Sequence, residues 1–154
     1  MAGSSMTALV RLFRTITAGA LYAIIVFVSG FILGTIRVLL AAPRLGETLA
    51  VIVEVPLILV ASWFVCRRCV ERLDVRRTVP ARSLMGLVAF LVLMEAEIGL
   101  GAVLGQSLVD HLAAYGSTAG TIGLAAQVIF ATFPVIQISR QFGNSLDREN
   151  TAAL

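Results

Sequence analysis

The sequence has no lysine, a single histidine and only two cysteines, and charged residues make up 14% of its 154 positions. Each shortage closes off a class of chemistry. One histidine excludes bis-histidine haem ligation within one chain and leaves no histidine cluster for a metal. Two cysteines, Cys66 and Cys69, are too few for a closed zinc site unless chains pair. They are also too few for the two redox pairs of a four-span thiol oxidase. No Ser-His-Asp set and no phosphate-binding glycine loop occurs, so the chain is not expected to be an enzyme, and neither cofactor nor metal is implied. The scarcity of charge excludes most. Soluble domains carry about 25% charged residues, and a soluble chain of this size cannot hide an apolar fraction of 58% at a mean hydropathy of +0.95.

What is present is apolar sequence in four blocks. A membrane-crossing helix needs about 20 mostly apolar residues, and segments at about 15–40, 49–65, 84–104 and 119–138 meet that length or come close. Inside lipid every backbone polar group must be paired, which selects helices; the alternation of barrel strands is absent. The expected fold is an all-α integral membrane four-helix bundle spanning 15–138. A cytoplasmic flank precedes it at 1–14 and a polar, loosely ordered tail follows at 139–154. The run 15–36, at 22 residues, is too long for the apolar core of a cleaved signal peptide.

All twelve basic residues are arginine, and six of them fall between 66 and 82. Read as a cytoplasmic loop at 66–83, that stretch orients the chain. With both termini inside, ten arginines are cytoplasmic and two, Arg37 and Arg44, lie outside. The positive-inside rule therefore predicts N-in and C-in. The basic pI of about 9.5 follows from this belt beside apolar spans and does not point to nucleic acid. The lipid bilayer is the expected partner, with a homo-oligomer or a larger membrane complex as a further one. The expected compartment is the bacterial inner (plasma) membrane.

Charged side chains within apolar spans are functional candidates by default. Three acids qualify: Glu54, Glu95 and Glu97. Glu54 lies 13 residues before Arg67 and Glu95 lies 13 residues after Arg82, so both sit roughly 20 Å from the arginine belt. On adjacent helices such a pair could share a proton, as a proton-coupled carrier requires. Glu95 and Glu97 are two residues apart and point to different sides of their helix. Glu97 shares a face with Gly101 and Gly105, and Glu95 with Gly99 and Ala102. One of the two acids can face the bundle interior and the other a second protomer.

Arg37 shares a face with Gly30 and Gly34 and is the natural counter-charge, reaching toward Glu97 or Glu54. Gly30-x-x-x-Gly34 and Gly101-x-x-x-Gly105 are the small faces for close helix packing, and their similar placement allows a parallel internal repeat. Pro56 removes an N–H two residues after Glu54, which frees the Ile52 carbonyl and predicts a kink. Pro43-Arg44-Leu45-Gly46-Glu47 reads as a tight turn. Gln127 is expected to make an interhelical hydrogen bond, and Trp63 to anchor at the interface. Leu108, Leu112 and Tyr115 share one helical face, so 105–118 is either a short interfacial helix or the frayed end of span three. Asp110-His111 reads as a solvated surface pair.

Gly34-x-x-Arg37, Ala42-Pro43-Arg44-x-Gly46-Glu47 and Glu54-x-Pro56 together resemble small four-span bacterial inner-membrane proteins of unassigned function. The resemblance covers the first two spans and implies no activity. Small multidrug exporters match poorly: they are shorter and carry their essential acid in the first span, where this chain has none. Three functions follow as expectations. The first is a non-enzymatic accessory or assembly subunit, its buried Glu and Arg serving helix and partner packing. The second is a proton- or ion-coupled carrier working as a homo-oligomer through Glu54 and Glu95. The third is a thiol-redox protein using Cys66 and Cys69.

Overall fold

The computed structural model describes residues 2–152, with side chains described for 5–138. Among the described residues there is no strand. Helix α1 runs Ala2–Ile36, opens into a π-helical turn at Arg37–Ala41, and closes in the short α2 at Ala42–Leu45. Gly46, at φ 80°, reverses the chain into α3 at Glu47–Arg72. A left-handed backbone at this turn favours glycine, which has no Cβ to clash. Helix α4 occupies Val79–Val103, α5 Leu108–Ala114 and α6 Thr118–Ala152.

The helix ends depart from the sequence expectation in one direction, toward longer helices. α1 is already helical across the expected N-terminal flank. α3 continues through Cys66 to Arg72, so only 73–78 connects it to α4. Polarity alone does not end a helix: arginine and glutamate are good helix formers, and Arg67 Nε pairs with Glu71 Oε1 at 2.8 Å, one turn apart. α6 likewise stays helical across the expected loose tail as far as Ala152. Its one strong breaker there, Gly143, costs a helix only about 1 kcal/mol. Pro56 and Pro134 both lie within continuous helices.

The four long helices form a closed ring in which α1 packs on α3 and α4, and α6 packs on the same two. Helices α3 and α4, consecutive in sequence, therefore occupy opposite corners. Two of the ring contacts join helices that follow one another in the chain, α1 and α3 across Gly46 and α4 and α6 across α5, while 73–78 crosses the diagonal. Close approaches depend on small residues. A Cβ at Gly19 would lie 2.6 Å from the Met85 carbonyl oxygen, and one at Gly86 would collide with the Ala131 carbonyl. Tyr22 spans the remaining diagonal, stacking on Phe130 at 4.3 Å and donating its hydroxyl to the Phe130 carbonyl at 3.1 Å.

The buried core gathers Ala18, Tyr22, Cys66, Met85, Ala89 and Phe130 among others. It lies toward the arginine-rich end. Outside it the helices are apolar too: Phe31, Val53, Leu87 and Val128 are each at least half exposed. An exterior of this kind is unlike that of a water-facing bundle. Four helical stretches, Ser5–Leu45, Glu47–Arg72, Val79–Val103 and Thr118–Ile138, are long and apolar enough to cross a membrane.

Candidate functional site

Polar side chains along the apolar helices fall into three groups and one isolated acid. The first group lies at the wide turn that ends α1. Arg37 opens the π-helical segment, and its Nε comes 2.6 Å from Glu54 Oε2 on α3. Both side chains are largely covered, at 25% and 18% exposure. The contact is ionic, since the Nε–H is not aimed along a hydrogen-bond line. Two glycines allow it. A Cβ at Gly34 would lie 3.7 Å from Glu54 Oε1, and one at Gly30 would lie 3.9 Å from Ile58. Gly30 and Gly34 thus let α3 approach α1 along the Glu54–Ile58 face.

The second group joins α4, α5 and α6. Gln127 Nε2 donates to both carboxylate oxygens of Glu97, each at 2.7 Å. Helix α5 folds back over this pair. It starts with a reciprocal cap: the Ser107 hydroxyl accepts from the Asp110 N–H, while Asp110 accepts from the Ser107 N–H at 3.0 Å. The Ser107 hydroxyl also donates to Asp110 Oδ2 at 2.6 Å, and this bond together with the one from the Ser107 N–H holds the Asp110 carboxyl below its usual range. His111 and Tyr115, one turn apart, meet at 3.2 Å between Nε2 and the hydroxyl. Tyr115 also reaches the Met94 sulfur at 3.8 Å. Burial pushes its phenol up, and the neighbouring Glu97 carboxylate adds to that.

Gly101 and Gly105 do not pack against a neighbouring long helix as the sequence suggested. Gly105, at φ 83°, terminates α4: the Gln106 N–H bonds the Gly101 carbonyl at 2.9 Å and the Gly105 N–H bonds the Ala102 carbonyl at 3.0 Å. This double bond pattern is a Schellman cap. A Cβ at Gly101 would meet Gln106 and His111, so that glycine makes room for α5. Gly30 and Gly34 sit within α1, end no helix and face α3, so the two glycine pairs are not structurally equivalent.

The third group lies in the core. Arg82, expected in a loop, is instead in the first turn of α4 and 1% exposed. Its Nε donates to the Arg76 carbonyl at 3.1 Å, while its Nη1 is buried without a partner. The Cys66 and Cys69 sulfurs are unlinked and buried in the same core as Tyr22. Gln137 Nε2 donates to the Trp63 carbonyl at 3.0 Å, and Trp63 packs edge-on against Phe133.

Glu95 stands apart from all three groups. It is exposed, and it makes no hydrogen bond or ion pair among the described residues. Its neighbours on that face are Leu91, 53% exposed, and Gly99, beside which a Cβ would meet nothing within 4 Å. The chain does not bring Glu54 and Glu95 together, because α3 and α4 are at opposite corners. No group of three or more His, Cys, Asp or Glu side chains able to hold a metal occurs among the described residues. No protein-family model, curated protein or solved structure matches this chain.

Proposed function

We propose that this chain is a multi-pass protein of the bacterial inner (plasma) membrane, with its termini and arginine-rich connection in the cytoplasm. It acts as a non-enzymatic accessory or assembly subunit, and its intramembrane polar side chains select helix and protein partners. The observation that carries this reading is Glu95. Glu54 and Glu97 have partners within the chain, through Arg37 and Gln127. Glu95 has none among the described residues, and it lies eight residues before the end of α4, on an apolar exterior. A charged side chain facing hydrocarbon costs about 2.5–3.5 kcal/mol on insertion scales. The open, small surface at Gly99 lets another helix come close enough to supply a donor. A second chain is therefore the natural way to satisfy Glu95, either a copy of this one or a different membrane subunit.

Purification in mild detergent tests this. Wild-type protein should retain a stoichiometric second chain, and Glu95→Leu should release it without loss of helix content. A wild-type monomer that Glu95→Leu leaves unchanged would remove the proposal.

A second reading, a proton- or ion-coupled carrier formed by a homo-oligomer, draws on matched depth. Glu54 lies seven residues from one end of α3 and Glu95 eight residues from the same-side end of α4. Since the two are apart within one chain, only contact between protomers could join them. That reading requires pH-dependent flux in proteoliposomes that Glu54→Gln and Glu95→Gln abolish. A thiol-redox role has less support, because Cys66 and Cys69 are 0% and 3% exposed.

A further inference from the structure

Among the described side chains, the arginine-rich end of the bundle holds more cations than its acids neutralise. Around the connection between α3 and α4 the acids are Glu71 and Asp74. Arg67 takes the first at 2.8 Å, and Arg14 lies 3.7 Å from the second. Arg82 turns inward to the Arg76 carbonyl. Arg68 and Arg72, one turn apart on α3, have no carboxylate partner among the described residues. Both line a groove of about 460 Å³ between α1 and α3, together with Leu21, Ile25, Phe64 and Val65.

The groove is polarised along its length. Arg72 is the last residue of α3, at the connecting loop, and Arg68 lies one turn deeper. Phe64 lies a further turn in, facing α1 near Ile25. The charge sequence therefore runs from two guanidinium groups at the interfacial end to an apolar wall toward the middle of the helix. A phospholipid in that leaflet has the same order, phosphate outermost and acyl chain inward. Arginine suits the phosphate because its planar fork can donate two parallel hydrogen bonds. Free phosphate would leave the apolar wall of the groove uncovered, and an uncharged lipid would leave both arginines unpaired.

We propose that the groove between α1 and α3 is a binding site for one anionic phospholipid, with its phosphate on Arg68 and Arg72 and an acyl chain along Leu21, Ile25 and Phe64. This rests on the bundle being membrane-embedded, as basic pockets between membrane helices bind anionic headgroups.

Trp63, the one tryptophan, packs against Phe133 on the other side of α3, so the reporter is Phe64→Trp in a Trp63→Phe background, which puts a single indole on the groove wall. The protein is reconstituted into vesicles containing phosphatidylglycerol or phosphatidylcholine brominated in the acyl chain, and quenching of the introduced tryptophan is measured against mole fraction. The expected result is a roughly tenfold preference for the anionic lipid, since each arginine near the bilayer surface contributes several-fold. Arg68→Gln/Arg72→Gln should abolish the preference. Arg76→Gln/Arg77→Gln removes the same charge outside the groove and should keep it. Glycerol 3-phosphate at millimolar concentration should not relieve quenching. Equal quenching by the two lipids overturns the site, as does equal loss in both double variants or displacement by glycerol 3-phosphate. A chain that fails to enter the vesicles at all overturns the membrane reading as well, and is told apart by flotation.

Discussion

Arg37 and Glu54 meet at 2.6 Å across the first hairpin, with the arginine on a π-helical turn and the glutamate one helix away. Removing one partner of a fully buried pair costs about 3–5 kcal/mol, whereas replacing both with apolar residues is often neutral. This pair keeps some exposure, so Arg37→Ala or Glu54→Ala alone should destabilise by about 2–3 kcal/mol. Arg37→Leu/Glu54→Leu should recover most of that. A double-mutant cycle on thermal unfolding in detergent measures the coupling, and strictly additive losses would mean the contact is incidental.

Gly86 and Gly99 lie on the same helix but in opposite surroundings. A Cβ at Gly86 collides with the Ala131 carbonyl, while one at Gly99 meets nothing. Gly86→Ala should force α4 and α6 apart and destabilise by about 1–3 kcal/mol. Gly99→Ala should leave an isolated chain at least as stable, since alanine is the better helix former by about 1 kcal/mol. Melting temperatures of the two variants compare these directly, and a larger loss at Gly99 would contradict the packing described.

Helix α5 should be sensitive to acid. The Asp110 carboxylate is held below its usual range by the Ser107 hydroxyl and N–H. A group depressed in the folded state stabilises fully above its unfolded value, about 3.9 for aspartate, and loses that contribution as pH falls through the folded value. Amide protection in α5, corrected for intrinsic exchange, should hold from neutral pH down to that range and fall below it. Asp110→Asn should flatten the profile. Loss of protection between pH 5 and 7 in the wild type would show that the cap does not hold the helix.

Cys66 and Cys69 should be inert. Both sulfurs are buried and unlinked, and a thiol needs access as well as ionisation to react. Maleimide in mild detergent should label neither, and unfolding should release two reactive thiols. Rapid labelling of the folded protein, or a disulfide seen by mass, would revive the redox reading.

The four apolar helices were legible from hydropathy because each is a continuous run that no polar stretch interrupts. Their ends were less so. Arg67 to Arg72 reads as loop by polarity, yet these are helix formers with an ion pair one turn apart. Arg82 was assigned to the same loop, although Pro80 marks a helix start and puts Arg82 in the first turn. The two-residue offset of Glu95 and Glu97 correctly implied opposite faces, because helix geometry alone decides that. Neighbour order around the ring was not legible: hydropathy counts spans without saying which ones touch, and the shared proton imagined for Glu54 and Glu95 assumed the wrong adjacency. By sequence alone His111 reads as surface, because its approach to the Glu97 region depends on α5 folding back. The Ser107-x-x-Asp110 spacing was the available sign that a helix begins there.

The central claim is that Glu95 is satisfied by another polypeptide. Its most direct test is a photocrosslinking amino acid at Gly99, irradiated in intact cells, with and without Glu95→Leu. One discrete protein adduct of defined mass should form, and it should disappear in the Glu95→Leu background. Adducts to lipid alone, or a protein adduct indifferent to Glu95, would contradict that claim.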